Sequence, residues 1–212
     1  MKDIFLALIF LASVFTVKAQ ADFIPKGSFN LEIALPNNVT NNAFKDLFQG
    51  LAAVTPSYQY TFDNTFSIGA GFRYGYFNVN EFRNNLDLKG GLHIMGAFLK
   101  VGQEKYYGNF GLDYGIRMGY SMNFFDTNKN KESIGKAYQN DGLFFEPNIG
   151  LALKSGDNSS FRFVVGYAFH TIKVGPEHVG VDQFAGIDQD KLNQITTYFT
   201  VGFGYSYYFG KK

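Results

Sequence analysis

Six charged residues lie in stretches of the chain where apolar and small residues alternate, and they could form ion pairs in a confined interior. Three are acids and three are arginines, so their charges cancel. An uncompensated charge in a narrow space is costly, and such side chains are expected to pair. Two histidines, His93 and His170, are predicted to lie at about the same height along the strands as Arg117 and Glu146. We predict one interior charge network of Glu32, Arg73, Asp113, Arg117, Glu146, Arg162, His93 and His170.

The other reactive side chains give weak signals for catalysis. A serine nucleophile needs a base within hydrogen-bond reach, and no serine–histidine spacing in this sequence proposes such a pair. His170 is followed by Thr171, and His178 stands alone in a polar stretch. The sequence has no cysteine, which excludes thiolate metal sites and cysteine nucleophiles. We therefore predict no catalytic residue.

Signals for a cofactor or a metal ion are also weak. The sequence has Gly-x-Gly at 69–71 and at 202–204, but neither opens a helix after a strand, as dinucleotide binding requires. Asp182, Asp188 and Asp190 share one polar stretch, and they lack the spacing of a calcium loop. We interpret them as solvated charges and predict no cofactor and no metal site.

The residues of the charge network must be positioned by strands, because the surrounding sequence alternates with a period of two. Eight segments show this alternation, and none of them fits a helical period. The predicted strands are 28–35, 50–62, 66–77, 90–101, 108–122, 142–154, 161–173 and 193–209.

The last segment shows the two faces of a strand most clearly. One face is mostly apolar and aromatic, and the other is small and polar, as expected for a wall between lipid and a narrow lumen. The apolar face contains Ile195, Thr197, Phe199, Val201, Phe203, Tyr205, Tyr207 and Phe209. In the fourth segment the two faces are similar, and the prediction places His93, Met95, Ala97 and Leu99 inward.

The connections between the segments alternate in length. Those after segments two, four and six are short, at 63–65, 102–107 and 155–160, and those after segments one, three, five and seven are long and polar, at 36–49, 78–89, 123–141 and 174–192. Outer-membrane barrels have short periplasmic turns and long extracellular loops. We predict an all-β fold, an eight-stranded antiparallel up-and-down transmembrane β-barrel with this orientation. A soluble β-sandwich or lipocalin-like binder is the alternative.

Composition supports a membrane barrel and excludes several other classes. Aromatic residues make up 18% of the chain, with 25 Phe, 14 Tyr and 24 Gly, and the mean hydropathy is only −0.11. Alternating lipid-facing and lumen-facing positions produce such a composition, whereas a helical membrane protein would be more hydrophobic. The 19 basic residues balance 18 acidic ones, which argues against a nucleic-acid partner.

The first residues have the pattern of a secretory signal peptide. A positive start precedes the apolar run 4–17 and the small-residue site Val17-Lys18-Ala19. At 14 residues this run is short for a spanning helix, which needs about 20. We predict a cleaved signal peptide at 1–19 and a barrel domain at 20–212, with cleavage after Ala21 as the alternative. Within the first long connection, 42–50 has a cap, a short apolar face and a glycine stop, and is predicted to form a helical turn on the barrel rim.

The last strand, Gly202-Phe203-Gly204-Tyr205-Ser206-Tyr207-Tyr208-Phe209, resembles the carboxy-terminal signal of the small eight-stranded bacterial outer-membrane β-barrels. The resemblance covers the whole predicted barrel domain. It implies export to the outer membrane of a Gram-negative bacterium and contact with lipid. It also implies a signal to the barrel assembly machinery at Gly204, Tyr207 and Phe209, although Gly210-Lys211-Lys212 follow the aromatic residue that usually ends such a chain.

That family includes structural barrels, adhesins and a few enzymes, so the resemblance does not decide function. We expect a monomeric, non-enzymatic barrel that acts in envelope integrity or surface interaction through its four outer loops, whose ligand the sequence does not identify. A narrow channel for ions or small hydrophobic compounds is the first alternative, and a lipid-modifying enzyme is the second.

The charge network separates the first two functions. Eight strands enclose a lumen that side chains can just fill, which favours a closed interior over a channel. Strands five and six flank the connection 123–141, whose centre lies near residue 132. Residues whose numbers sum to about 264 should face each other, which predicts that Arg117 and Glu146 are cross-strand neighbours.

Overall fold

Eight antiparallel strands close into one barrel, in which each strand pairs with its neighbours in chain order and β1 pairs with β8. The computed structural model describes residues 25–81, 87–184 and 192–211, so the predicted signal peptide lies outside the described residues. The strands are β1 Pro25–Thr40, β2 Phe48–Thr61, β3 Phe66–Val79, β4 Gly90–Tyr107, β5 Phe110–Thr127, β6 Tyr138–Lys154, β7 Ser159–His170 and β8 Thr196–Lys211.

In the described part of the chain, three short helices lie between the strands, all at the same end of the barrel. They are α1 Asn42–Leu47, α2 Asn128–Ile134 and α3 Pro176–Val179. We call this the loop end, and the opposite end, with the short turns after β2, β4 and β6, the turn end. Within the described residues, no helix has the length and the apolar character needed to cross a membrane.

The alternation of side chains divides the barrel into an apolar outer surface and a mixed interior. The large exposed side chains on the strands are mainly aromatic and aliphatic, and Phe203, Phe72, Phe110 and Leu99 are each at least 67% exposed. The buried set on the same strands includes serine, threonine, asparagine and charged residues. Aromatic side chains are exposed toward both ends of this surface, such as Phe66 and Phe161 near the turn end and Tyr120 and Phe145 nearer the loop end. This outer surface suits lipid and not water.

The strands are longer than most of the predicted segments, and the long connections are correspondingly shorter. β1 continues to Thr40 because it pairs with β8 along this whole stretch. β5 and β6 pair up to Phe125 and Tyr138, inside the predicted 123–141 connection. The predicted seventh strand extends too far, since β7 ends at His170.

The largest difference in boundaries is the turn between β4 and β5. The predicted position of this turn, 102–107, is wrong, because β4 runs to Tyr107, which pairs with Phe110. The turn is the two-residue loop Gly108-Asn109, in which Gly108 adopts a left-handed backbone with φ +62°. Glycine takes this conformation at little cost, and two-residue hairpin loops favour it.

Two ladders are interrupted, and each interruption contains a proline. Between β2 and β3, pairing stops at Val54–Tyr74 and resumes at Ser57–Gly71, which leaves out Pro56. Between β6 and β7, pairing stops at Phe145–Phe169 and resumes at Asn148–Gly166, which leaves out Pro147. Proline has no backbone N–H to donate to a neighbouring strand. The wall of the barrel is therefore locally weak at two places.

The predicted helical turn forms and lies deeper than expected. α1 begins after Asn41, whose side chain accepts a hydrogen bond from Phe44 N–H at 3.1 Å. Ala43, Phe44 and Leu47 are almost fully buried and belong to an apolar cluster with residues of β3, β4, β5 and β8. The helix thus enters the mouth of the barrel instead of covering its rim.

The assignment of the outer face can be tested at Phe203, near the middle of β8. Replacing Phe203 with arginine should lower the free energy of unfolding in lipid vesicles by about 2–4 kcal/mol, because a charge near the middle of the bilayer is poorly solvated. Asp157→Arg, in the turn between β6 and β7, is the control and should change it by less than about 0.5 kcal/mol. Equal tolerance of both substitutions in a denaturant titration would show that Phe203 faces water.

Candidate functional site in the barrel lumen

The middle of the lumen holds four charged side chains, which we call the inner charge cluster: Glu32, Arg73, Arg117 and Glu146. Arg117 Nη2 lies 2.6 and 2.7 Å from the two carboxylate oxygens of Glu32, and Arg117 Nη1 lies 3.0 Å from Glu146 Oε1. Arg73 Nη1 contacts the second carboxylate oxygen of Glu146. Two acids alternate with two arginines, so the cluster is neutral, and all four side chains are at most 7% exposed.

The predicted cross-strand pair is confirmed by the ladder, in which Arg117 stands opposite Glu146. Glu146 has space because residue 166 on β7 is a glycine. A Cβ added at Gly166 would lie only 3.0 Å from Glu146 Oε1. The contacts from Arg117 to Glu32 and from Glu146 to Arg73 join residues on strands that are not neighbours. They were not predictable from cross-strand register alone.

A second neutral group, the turn-end charge cluster, consists of Lys100, Glu104, Asp113 and Arg162. Lys100 Nζ lies 2.8 and 2.6 Å from the carboxylate oxygens of Asp113, and Arg162 contacts both Asp113 and Glu104. Glu104 also accepts a hydrogen bond from Gln59 at 2.8 Å. Every carboxylate in this cluster therefore has a charged partner.

Lys100 and Glu104 belong to this cluster although they were not predicted as lumen residues. Met95 and Leu99, which were predicted to face inward, are 42% and 67% exposed. Lys100 and Glu104, on the opposite face of β4, are buried instead. The signal was the Gly108-Asn109 hairpin: a turn at that position pairs Glu104 with Asp113 and Lys100 with Arg117, and Asp113 and Arg117 had been assigned inward.

His93 does not belong to the lumen network, which corrects the prediction. It lies on the outer side of β4, where its Nδ1 is 2.8 Å from the hydroxyl of Tyr74, and its ring packs against Tyr76 at 4.9 Å. The cause is the same inverted face of β4. Of the predicted network residues, the structure brings the other seven into the lumen.

His170 is buried but forms no ion pair in the described part of the chain. Its ring stacks between Phe144 and Tyr198, at 5.3 Å from each. Its Nε2 lies 3.1 Å from the Tyr198 hydroxyl, and its Nδ1 lies 3.4 Å from Ser121 Oγ. Sequence spacing did not suggest the Ser121–His170 contact, because it joins strands that are not adjacent. Both side chains are enclosed within the barrel, with 1% exposure each.

The turn end of the lumen is closed by three hydroxyl-bearing side chains. Ser160 Oγ lies 2.6 Å from the Tyr208 hydroxyl and 3.3 Å from the Tyr106 hydroxyl, and the two tyrosines also contact each other. All three are almost fully buried. The Tyr208 hydroxyl also donates to Glu104 at 3.5 Å, so this group lies directly against the turn-end charge cluster.

The loop end of the lumen is filled by an apolar group, the loop-end core. It combines α1 with inward residues of the strands and with the segment around α3. Its buried members include Ala43, Phe44, Leu47, Phe48, Phe77, Val79, Leu88, Leu92, Ile94, Phe125, Ala168, Val174, Val179, Phe184, Leu192 and Tyr198. Phe44 is at its centre, with ring contacts to Phe48, Phe77 and Tyr198.

His178, in α3, holds the segment after β7 against the loop-end core. Its Nδ1 accepts a hydrogen bond from Gly175 N–H at 3.1 Å, and its Nε2 lies 2.8 Å from the Asn140 side chain. Its ring packs on Phe125 and Tyr138. Burial lowers the pKa of His178, although the nearby carboxylate of Glu177 opposes this shift.

Two further sequence predictions concern sites outside the lumen. Among the residues of the predicted assembly signal, Tyr207 and Phe209 point outward and are exposed, and Gly204 lies opposite Glu32. Their role in assembly stays a prediction. Of the three aspartates interpreted as solvated charges, Asp188 and Asp190 lie outside the described residues. No group of three metal-ligating side chains occurs in the described segments.

Comparisons with known proteins reveal similarity in structure only. No family model matches the sequence, and no curated protein matches it. Neisserial surface protein A is similar in structure, with a TM-score of 0.50 and 10% identity over 91% of this chain and 100% of that one. The attachment invasion locus protein Ail of Yersinia pestis has a TM-score of 0.47 and 13% identity, over 87% of this chain and 99% of that one. The outer membrane protein OprG of Pseudomonas aeruginosa has a TM-score of 0.45 and 15% identity, over 91% of this chain and 98% of that one.

The chain has the fold of a small outer-membrane β-barrel. This confirms the predicted fold class of a closed, antiparallel, eight-stranded barrel. The apolar belt around its outer surface suits the barrel to a lipid bilayer, as the predicted outer-membrane location requires. At such low identity the likeness shows the fold and carries no activity over to this chain.

The connectivity of the inner charge cluster predicts strong energetic coupling between Arg117 and Glu146. Each single replacement by leucine leaves a buried partner uncompensated and should lower the free energy of unfolding by about 3–5 kcal/mol. The double variant leaves Glu32 and Arg73, which have opposite charges, so its loss should be smaller than the sum. Denaturant titrations in vesicles would measure the coupling.

The matched control for this cycle pairs Glu146→Leu with Arg162→Leu. These residues belong to different clusters, so their effects should add to within about 0.5 kcal/mol. A cycle for Arg117 and Glu146 that is equally additive would mean that the pair contributes nothing to stability.

The environment of His178 predicts that the α3 segment loosens in acid. Because the folded state lowers the pKa of this group, protonation favours the open segment. Protection of the amides of 175–181 from hydrogen exchange should be constant above about pH 6.5, the ordinary pKa of histidine, and should decline as the pH falls from that value through the lowered pKa of the folded state. In His178→Gln the protection factors should not change with pH; if they decline as in the wild type, another group is responsible.

Proposed function

We propose that this chain is a non-enzymatic, non-conducting outer-membrane barrel that acts through its loop end, in envelope integrity or surface interaction. The observation that carries the proposal is the filling of the lumen. From the turn end to the loop end, the described residues place three hydroxyl groups, two neutral charge clusters and the loop-end core in succession. A barrel of eight strands has little room beyond its own side chains.

The arrangement of charge in the lumen argues against a conducting pore. A channel needs polar groups that a passing ion can contact, whereas the charged side chains of both clusters are compensated by one another. An ion that entered from the loop end would first have to cross the loop-end core, which is apolar. Entry of an ion into such a region carries a large desolvation cost.

The chemistry of the lumen also gives no support to catalysis. The Ser121–His170 contact has the residue types of a nucleophile and its base. However, the other nitrogen of His170 faces the Tyr198 hydroxyl and not a carboxylate, and both side chains are enclosed beneath the loop-end core. A substrate could reach Ser121 only after this core had opened.

The loop end is then the part of the barrel that can meet a partner. We propose that it faces the outside of the cell, as in barrels with short periplasmic turns, and that the barrel is a monomer in contact with lipid and recognised by the assembly machinery during export. α2 lies at this end and exposes Lys131, Glu132 and Ile134. A partner would be bound by such loop residues on a rigid support.

Conductance of the refolded full chain in planar bilayers tests the closed lumen. We expect no steady ohmic current above the lipid baseline, because charge compensation and the loop-end core exclude ions. Folding and insertion are checked separately by the change in electrophoretic mobility on heating. A steady current from folded, inserted protein would contradict the proposal and favour the narrow channel.

A further inference from the structure

A groove runs along the lipid-facing surface of β2, β3, β4 and β5, and neither the lumen nor the loops require it. Its two halves have volumes of about 610 and 720 Å³ and share Pro56, Phe72 and Ala97. Small outward residues make its floor, namely Pro56, Ala70 and Ala97. Other outward positions of these strands carry large side chains such as Tyr58, Leu99 and Met118.

The groove extends through most of one lipid leaflet. It crosses three rows of outward residues, from the row of Tyr58, Ala70, Leu99 and Met118 to the row of Val54, Tyr74, Met95 and Met122. Successive outward rows are about 7 Å apart along a strand, so three rows span about 14 Å along the strands. Because the strands of such barrels tilt by about 35–45°, this length covers about 10–11 Å of the roughly 15 Å of hydrocarbon in one leaflet.

The two ends of the groove differ in chemistry. Its lining is almost wholly apolar, from Phe29 and Tyr58 up to Met95 and Met122. At the loop end, hydrogen-bonding groups begin: the Tyr74 hydroxyl lies 2.8 Å from His93 Nδ1, and the Tyr120 hydroxyl donates to Asp141 Oδ2 at 2.9 Å. An apolar channel that ends in polar groups matches an amphiphile with one chain in the groove.

The shape of the groove favours a thin chain over a second barrel. Phe72 and Leu99 project beside the small floor residues and are 68% and 67% exposed. The broad wall of another barrel would meet these two side chains before it reached Ala70 or Ala97. The groove also lies over the interrupted ladder at Pro56, where the wall lacks regular pairing.

We propose that this groove binds one acyl chain of a lipid of the loop-end leaflet, with the polar head of that lipid at the level of Tyr74, His93 and Asp141. The chain fills the depression between Phe72 and Leu99 and covers the wall where the β2–β3 ladder is interrupted. The groove is therefore a specific lipid site within an otherwise general lipid-facing surface.

The test uses the full chain reconstituted in vesicles of phosphatidylethanolamine and phosphatidylglycerol, with retained lipid counted by native mass spectrometry after extraction. Wild type should retain one phospholipid per chain. The double variant Ala70→Phe with Ala97→Phe fills the groove and should lower this occupancy at least tenfold. Val165→Phe, which adds a ring to the outer face of β7, should retain lipid like the wild type. Folding of each variant is checked by its heat-dependent electrophoretic mobility.

Each other outcome contradicts part of the proposal. Equal retention by wild type and the filled variant, or no retained lipid in either, would overturn the site. Loss of lipid in Val165→Phe as well would mean that the lipid is not held in the groove. Dimers of the wild type that the filled variant abolishes would assign the groove to a second copy of the chain. His93→Ala should weaken retention several-fold, and unchanged retention would overturn the placement of the headgroup.

Discussion

Arg73 and Glu146 meet across the lumen, and each lies on a stretch where a strand ladder is interrupted beside a proline. Arg73 lies on β3 in the interrupted stretch opposite Thr55 and Pro56, and Glu146 lies on β6 in the stretch that contains Pro147. In a bilayer, lost backbone hydrogen bonds cannot be replaced by water. The contact between these side chains joins the two weak regions of the wall through the interior, and the position of the inner charge cluster follows from it.

Charge balance then determines how the rest of the lumen is filled. Glu146 accepts from Arg73 and Arg117, so Arg117 needs a second acid to complete the compensation, and Glu32 supplies it from β1. In the turn-end charge cluster, Asp113 contacts both Lys100 and Arg162, so charge is compensated there in the same way. Because both clusters are neutral, neither requires a bound ion. The charged half of the lumen is therefore closed by its own side chains, and the apolar half by α1 and the segment around α3.

The sequence was sufficient for the fold, because alternation along a strand determines which face meets lipid once the strand is recognised. Arg117 and Glu146 could be paired by counting residues around one loop, since both belong to adjacent strands. His93, Lys100 and Glu104 could not be assigned in the same way. Both faces of β4 contain apolar residues, so alternation alone did not show which face points inward. The turn was predicted at 102–107 and not at Gly108-Asn109, and the pairing register of β4 with β5, which identifies the inner face, was therefore lost. The contacts to Glu32 and Arg73 depend on the curvature of the closed barrel, which pairwise register does not contain.

The interior and the outer surface are connected through β3, where Arg73 lies between Phe72 and Tyr74. Arg73 points into the inner charge cluster, whereas Phe72 and Tyr74 line the outer groove. Since successive residues of a strand face opposite sides, any shift of this strand moves the cluster and the groove together. Loss of the Arg73–Glu146 contact would leave β3 held only by its pairing with β4 at the point where its pairing with β2 is missing. Occupancy of the groove by an acyl chain and integrity of the inner charge cluster should therefore stabilise the same part of the wall, from its two sides.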